Sequence, residues 1–321
     1  MNICIRVTEK CNLNCDHCFY KQKNSKDKCD LNYKDICLFL NKINSKEKNN
    51  KFFIHGGEPM LSDLKILKEM ISMFPNNEWQ ISTNLCYKLT REKIEVFEKA
   101  KNIIISFDVG IRFKNIKNLL LWYKNIKILS KNNNIKIGLN ICFSKQLLKH
   151  DPIQILFFLD KLNINFIQFW QIIPINNTHE SKNIIANNSQ VDEWLYNFFL
   201  KIQKFKNIKC SNISAVEEGI FNRFNSYYCK NCCNNSLTVN TDGTIINCSS
   251  DSINNIIGTI YDDAEYIIEN IKNKKYHINK KCLYCKYYDQ CGGWCRNIPW
   301  DNNCPYPIKL SEGIKNVYAF I

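Results

Sequence analysis

The sequence predicts an α/β fold built on a parallel sheet, followed by a small cysteine-rich domain. Three observations predict it. Residues 1 to about 175 alternate short apolar runs with helix-periodic stretches six times, as chains of strand–helix units do. Most of those runs are rich in Ile, Phe or Val, the composition of strands buried on both faces. From Cys229 onward the texture changes to loops, cysteines and aromatics.

The predicted strands are Ile3–Val7, Lys51–His55, Trp79–Thr83, Ile103–Phe107, Ile135–Cys142 and Phe166–Ile172. Helical stretches lie between them near 33–46, 60–74, 90–100, 112–130 and 151–162. Folds of this kind, barrels and half-barrels, collect their chemistry at the C-terminal ends of the strands. Functional motifs should therefore fall directly after strands. Residues 176–228 read as connecting helices, among them Val191–Lys204 and Ala215–Phe224. Ser236 to Asn240 alternates, Thr241-Asp242-Gly243 signals a hairpin turn, and Thr244 to Ile246 resumes the alternation. The other C-terminal residues show too little apolar periodicity to build a core, so metal–thiolate bonds are expected to fix them.

Composition excludes several classes. Hydrophobic residues make up 45% of the 321 and charged residues 23%, which rules out disordered and fibrous chains. No apolar run reaches the roughly 18 residues of a membrane span. Met1-Asn2-Ile3-Cys4-Ile5-Arg6 does not begin a signal peptide, so a cytoplasmic protein with no membrane partner is expected. The formal charge is +14, with lysines spread along the whole chain. That dispersion predicts no nucleic-acid partner and is compatible with an acidic peptide. The abnormal number is 18 cysteines. They cluster tightly in a large chain without an export signal, which favours metal or iron–sulfur sites over disulfides.

Cys11-Asn12-Leu13-Asn14-Cys15-Asp16-His17-Cys18 places three thiols in C-x3-C-x2-C spacing just after the first strand. Three thiolates on one loop can hold three irons of a [4Fe–4S] cluster and leave the fourth iron open to a small molecule. A structural zinc would want a fourth ligand, and His17 is awkwardly placed between Cys15 and Cys18 to supply it. These residues resemble the cysteine motif of the radical S-adenosylmethionine superfamily. The resemblance implies a partial (β/α)6 barrel over residues 1–180. It also implies that the open iron binds the amino and carboxylate groups of S-adenosylmethionine, whose reductive cleavage yields a hydrogen-abstracting 5′-deoxyadenosyl radical.

Three further strand ends fit that resemblance. His55-Gly56-Gly57-Glu58-Pro59 follows the second strand, some 38 residues after Cys18, and matches the family's GGEP motif. There Gly56 and Gly57 would let backbone approach the ligand, and Glu58 would accept from its cationic amino group. Thr83 and Asn84 at the third strand end, and Ser106 and Asp108 at the fourth, look like the family's polar contacts to the ribose and methionine portions. Arg112 or Lys117 would pair with the methionine carboxylate. His17 stands where the family often has an aromatic residue on the adenine, and His55 is a catalytic candidate because it adjoins the glycines.

Cys282, Cys285, Cys291 and Cys295 give C-x2-C-x5-C-x3-C, followed by Cys304, while Cys233 and Cys248 flank Gly243 with Cys229 and Cys232 just upstream. This arrangement resembles the SPASM extension of radical S-adenosylmethionine enzymes. It implies a domain at 229–321, joined by the 181–228 helices, with two auxiliary [4Fe–4S] clusters, three clusters in all. Carried over by position, the first auxiliary cluster would use Cys233, Cys248, Cys295 and either Cys229 or Cys232, of which Cys229 is preferred. The second would use Cys282, Cys285, Cys291 and Cys304. Cys4, Cys29, Cys37, Cys86, Cys142 and Cys210 remain as small hydrophobes.

Proteins with this extension mostly act on peptides. The resemblance therefore implies a maturase of a ribosomally made precursor peptide, supplied with electrons by a flavodoxin- or ferredoxin-type donor. Candidate outcomes are a thioether or carbon crosslink, or epimerisation, for which Cys232, or failing it Cys229 or Cys210, would return the hydrogen. Formylglycine formation, as in anaerobic sulfatase maturation, is the alternative. It is disfavoured by Ser249 where those enzymes carry an aspartate, and by His55 where they carry glutamine. A small-molecule dehydrogenase is a third class. The first strand begins almost at Met1, so any leader is expected to bind the barrel surface, the connecting helices or a separate partner.

Overall fold

The computed structural model describes residues 1–18, 32–173, 183–221, 234–249, 255–274, 278–295 and 297–319. It divides into two compact units. The first comprises Met1–Ser106, Arg112–Gly138 and Cys233–Lys274; the second comprises Phe107–Ile111, Leu139–Cys232 and Lys275–Ile321.

The first unit is built on four parallel strands, β1 (Asn2–Thr8), β2 (Lys51–Gly56), β3 (Glu78–Thr83) and β4 (Lys101–Ser106). Their inward residues, among them Ile3, Ile5, Phe52, Ile54, Ile81, Ile103 and Ile105, are fully buried. The helices between them start where a short polar side chain satisfies the first free amides. Asn32 caps α1 (Tyr33–Lys46), Asp63 caps α2 (Leu64–Met73), Thr90 caps α3 (Arg91–Ala100) and Asn115 caps α4 (Ile116–Leu129). The cap at Asn115 explains why α4 starts four residues later than its periodicity predicts, leaving Arg112 in a loop.

The predicted hairpin forms as β8 (Ser236–Val239) and β9 (Thr244–Ile246), and β8 lies parallel to β1 with Asn2 opposite Ser236. β10 (Ile256–Thr259) pairs antiparallel with β9, which gives the order β10-β9-β8-β1-β2-β3-β4. α8 (Ala264–Asn273), capped by Asp263, buries Ile267, Ile268 and Ile271. It meets α1 through ion pairs of Lys46 with Glu265 and of Lys272 with Glu47. The expectation of a C-terminal region with no core-forming periodicity is corrected here, because these isoleucines do form an apolar helix face.

In the second unit most of β5 (Lys136–Phe143), then β6 (Phe166–Gln171) and the short β7 (Lys209–Cys210) lie side by side. α5 (Pro152–Lys161), α6 (Asn188–Ile202) and α7 (Ser211–Ile220) pack with them. The core is aromatic: Trp194 meets Phe143, Phe169 and Phe198 with ring centroids 5.2–6.0 Å apart. α9 (Tyr288–Cys291) and α10 (Ile308–Ala319) complete it, and α10, another helix the sequence reading missed, buries Leu310 and Ile314. No described helix is long and apolar enough to cross a membrane.

Candidate functional site

The cysteine loop leaves the end of β1. Cys11 is exposed, Cys15 is buried and Cys18 is intermediate. The loop is pinned from below by the turn after β2, where the Gly57 amide donates to Thr8 O and the Glu58 amide to Lys10 O, both at 2.7 Å. A Cβ at Gly57 would lie 2.2 Å from Lys10 O, and one at Gly56, whose φ is +139°, would lie 2.4 Å from Thr8 O. The sequence reading gave these glycines the task of admitting a ligand. What they demonstrably admit is the chain's own backbone immediately before Cys11.

Glu58 is fully buried behind that turn. Its carboxylate accepts from Thr83 Oγ1 at 2.8 Å, from the Asn84 amide at 2.7 Å and from the Met60 amide at 3.1 Å. Burial raises its pKa to about 7 against an ordinary 4.5, and these hydrogen bonds and the Arg112 cation hold it from rising further. Asn84 Nδ2 donates to Asn12 Oδ1 at 2.9 Å and approaches Cys11 Sγ at 3.7 Å. Asn12 in turn donates to Cys86 O at 2.6 Å. Arg112 approaches Cys15 Sγ at 3.7 Å and His17 Nε2 at 3.4 Å, whereas Lys117 is exposed. The structure thus gathers Cys11, Cys15, His17, Gly57, Glu58, Thr83, Asn84 and Arg112 around one loop. Asn12 and Tyr87, whose hydroxyl lies 2.7 Å from Thr83 Oγ1, were not anticipated; only their position beside a motif could have pointed to them.

His55 ends β2 opposite Arg6 of β1. Burial, and secondarily the Arg6 cation, lower its pKa to about 3 from 6.5. A neutral imidazole therefore contributes stability that is present above pH 6.5 and lost as pH falls toward 3. Between pH 7 and 5 the protein should lose about 2 kcal/mol relative to His55→Gln, measured by urea unfolding at both pH values; parallel pH dependences would refute this. Ser106 closes β4 in the first unit and is half-buried. Asp108, in the second unit, is buried and accepts from the Cys142 amide at 2.6 Å, a bond that ties the loop after β4 to β5.

The second unit holds another thiol cluster. Cys282, Cys285, Cys291 and Cys304 all line one cavity of about 270 Å³, with Tyr287, Trp300 and Tyr306 among its walls. Burial raises the Cys291 thiol to about 11, and the neighbouring Cys304, Cys285 and Cys282 add to it. Crowded, desolvated thiols of this kind are relieved when they ligate a cation, so the donor set fits an iron–sulfur cluster. Asn188 positions the loop before Cys304: its Nδ2 donates to Pro299 O and Asn303 O, both at 3.0 Å, and its amide donates to Asp301 at 2.6 Å. No sequence motif marked Asn188. Of the other expected ligands, Cys248 follows β9 and Cys295 follows α9, both partly exposed. Cys229, Cys232 and Cys233 lie outside the described residues. Cys4, Cys37, Cys86 and Cys210 are buried, and burial raises Cys86 and Cys210 to about 12.

No family model matches the chain. The native protein anSMEcpe with bound AdoMet superposes with a TM-score of 0.81, covering 99% of this chain and 97% of that one at 16% identity. Streptococcus suis SuiB bound to S-adenosylmethionine gives a TM-score of 0.67 over 92% of this chain and 73% of its own, at 17% identity. The fold is that of radical S-adenosylmethionine enzymes with a SPASM extension. Among curated proteins, a cysteine-type anaerobic sulfatase-maturating enzyme of Clostridium novyi is 23% identical over 90% of this chain and 86% of its own length. An uncharacterized protein of Methanocaldococcus jannaschii is 29% identical over 132 residues, 39% of this chain and 43% of that protein. That last match spans less than half of either. Cys11, Cys15 and Cys18 follow β1 and Gly56-Gly57-Glu58-Pro59 closes β2, the strand-end placement the sequence predicts.

Proposed function

We propose that this chain is a radical S-adenosylmethionine enzyme that modifies a ribosomally made peptide or protein. The observation that carries the reading is three cysteines on one loop, clamped by backbone to a buried carboxyl. Cys11, Cys15 and Cys18 would hold three irons of a [4Fe–4S] cluster. Once bound, cluster and S-adenosylmethionine together would supply a 5′-deoxyadenosyl radical that abstracts hydrogen. Glu58 would exchange its proton for a contact with the ligand's ammonium, while Thr83 and Asn84 keep it oriented. Gly56 and Gly57 would set the turn, Ser106, Asp108 and His17 would contact the ligand, and Arg112 would take its carboxylate.

Cys282, Cys285, Cys291 and Cys304 would hold one auxiliary cluster of a SPASM domain at 229–321. Cys233, Cys248, Cys295 and Cys229 or Cys232 would hold another. A flavodoxin- or ferredoxin-type protein in the cytoplasm would be the electron donor.

A peptide substrate is supported by SuiB, whose structure with its precursor peptide SuiA has a TM-score of 0.67. Formylglycine formation has specific support of its own in the Clostridium novyi relative and in the higher TM-score of anSMEcpe. Against it, Ser249 follows Cys248 and His55 precedes the glycines. Burial holds His55 neutral and opposes its protonation, so in either reaction it would act by its place beside the glycines rather than as a base.

The test is anaerobic reconstitution with iron and sulfide, reduction with dithionite, and measurement of 5′-deoxyadenosine. Release by the native chain and loss to background in Cys15→Ala are expected. Zinc in place of iron, or equal release by the variant, would end the reading. Mass spectrometry of a co-expressed peptide then separates the outcomes. A crosslink removes two hydrogens, formylglycine made from cysteine loses the sulfur, and an epimer keeps its mass.

A further inference from the structure

We propose that the outward face of α4 docks an acidic, helix-forming segment of the substrate other than the stretch that carries the modified residue. The proposal rests on the peptide-modifying reading above and adds where the substrate is gripped.

The rotation of α4 is fixed from within its own unit. Trp122, Asn125, Ile126 and Leu129 are buried, and Asn125 Nδ2 donates to Leu85 O at 3.0 Å and to Tyr87 O at 2.7 Å. The opposite face is therefore committed to the outside. It presents Ile116, Leu120 and Ile128 at 64%, 60% and 44% exposure, interleaved with exposed Lys117, Lys124 and Lys127. Ile116, Leu120, Lys124 and Ile128 form one i, i+4 row, the ridge along which a second helix packs. Among the described residues no carboxylate pairs with Lys117, Lys124 or Lys127.

The charge is local as well as unpaired. From Arg112 to Gly138, the part of the first unit that holds α4, the sequence has seven lysines and arginines in 27 residues and no Asp or Glu. The cationic groove formed by Lys65, Lys68 and Lys99 differs, because Lys68 faces Glu92 and Glu95 at 3.8 and 3.5 Å and Lys99 bonds Ser72. An aliphatic row set among lysines that no described carboxylate neutralises, Lys127 lying over the Tyr123 ring, is complementary to an amphipathic helix with apolar anchors and flanking glutamates. A phosphate backbone would leave the aliphatic row without a partner.

Position supports a substrate as the occupant. Lys114, just before the helix, pairs with Asp16 of the cysteine loop at 2.7 Å, and Cys86 Sγ contacts Asn118 O at 3.8 Å. The N-terminal turn of α4 thus lies beside the loop that carries Cys11, Cys15 and Cys18. A segment held along α4 starts next to the chemistry.

The experiment is fluorescence anisotropy on the reconstituted protein. The probe is a labelled synthetic helix of about 20 residues, with leucines in an i, i+4 row flanked by glutamates. Binding that weakens with salt is expected. Lys124→Glu/Lys127→Glu and Leu120→Ser/Ile128→Ser should each weaken it by about tenfold or more, with circular dichroism and peptide-independent 5′-deoxyadenosine release unchanged. Wild-type-like binding by either variant would overturn the proposal. So would equal binding of a glutamate-only peptide, or preferential binding to phosphatidylserine vesicles or to an oligonucleotide. The two readings fail separately: absent 5′-deoxyadenosine removes the enzymatic reading, whereas unaltered anisotropy in the variants removes the docking face.

Discussion

Gly57→Ala should destabilise the protein by about 3 kcal/mol, at the upper end of overpacking costs, and should empty the first cluster site. The added Cβ meets backbone at 2.2 Å, and backbone cannot rotate away as a flexible side chain can. The turn after β2 must lift off Thr8–Lys10, breaking the two 2.7 Å amide bonds that pin the cysteine loop. Gly293→Ala is the control. Its Cβ meets only the Tyr288 ring at 3.9 Å, so the substitution costs little beyond the strain of φ +93°, about 1 kcal/mol. Urea unfolding of both variants, and the iron content of Gly57→Ala against the native chain, read the effects. Equal losses in the two variants, or full iron in Gly57→Ala, would refute the clamp.

The second large effect is at Glu58. Its pKa near 7 in the folded chain, against 4.5 unfolded, comes first from burial. A raised carboxyl contributes stability that is fully present below pH 4.5 and lost as pH rises through 7. The interval corresponds to about 3 kcal/mol. Glu58→Gln fixes the side chain neutral, at a constant cost because an amide NH2 would face the Asn84 amide donor. The stability difference between native and variant should therefore shrink by that amount from pH 4.5 to 8 in metal-free protein. A difference that stays flat would show that the carboxyl is already ionised. Binding of a cationic amine beside Glu58 should release a proton near pH 6.5, seen as a buffer-dependent heat in titration calorimetry.

Much of the first half was legible because local physics decided it. The six strands are short, apolar and β-branched, and each forms within about two residues of its predicted place. The helices between them begin where Asn, Asp or Thr caps stand. α8 and α10 were missed although a signal existed: Asp263 is a cap, and Ile267 and Ile271 are one turn apart. The cysteine-rich texture around them masked that pattern. The parallel seat of β8 against β1 had no local signal, since a hairpin sequence specifies its own turn and not the third strand it joins.

The candidate site was legible as motifs and not as a network. Cysteine spacing and Gly-Gly-Glu-Pro marked the loops. That Glu58 bonds the Asn84 amide, that Asn12 bridges to Cys86, and that Gly57 serves a backbone contact are products of three strand ends meeting. Asn188, far from any cysteine in sequence, orders the residues before Cys304 through three groups brought together only by folding.

Because β8 covers the flank of β1 that β2 leaves open, the strand bearing the cysteine loop has no free margin in its unit. A shortened chain ending before residue 234 would bare a row of unsatisfied amides and carbonyls along that strand, which is a template for self-association. Solubility of the N-terminal half is thus written partly in a hairpin more than two hundred residues downstream.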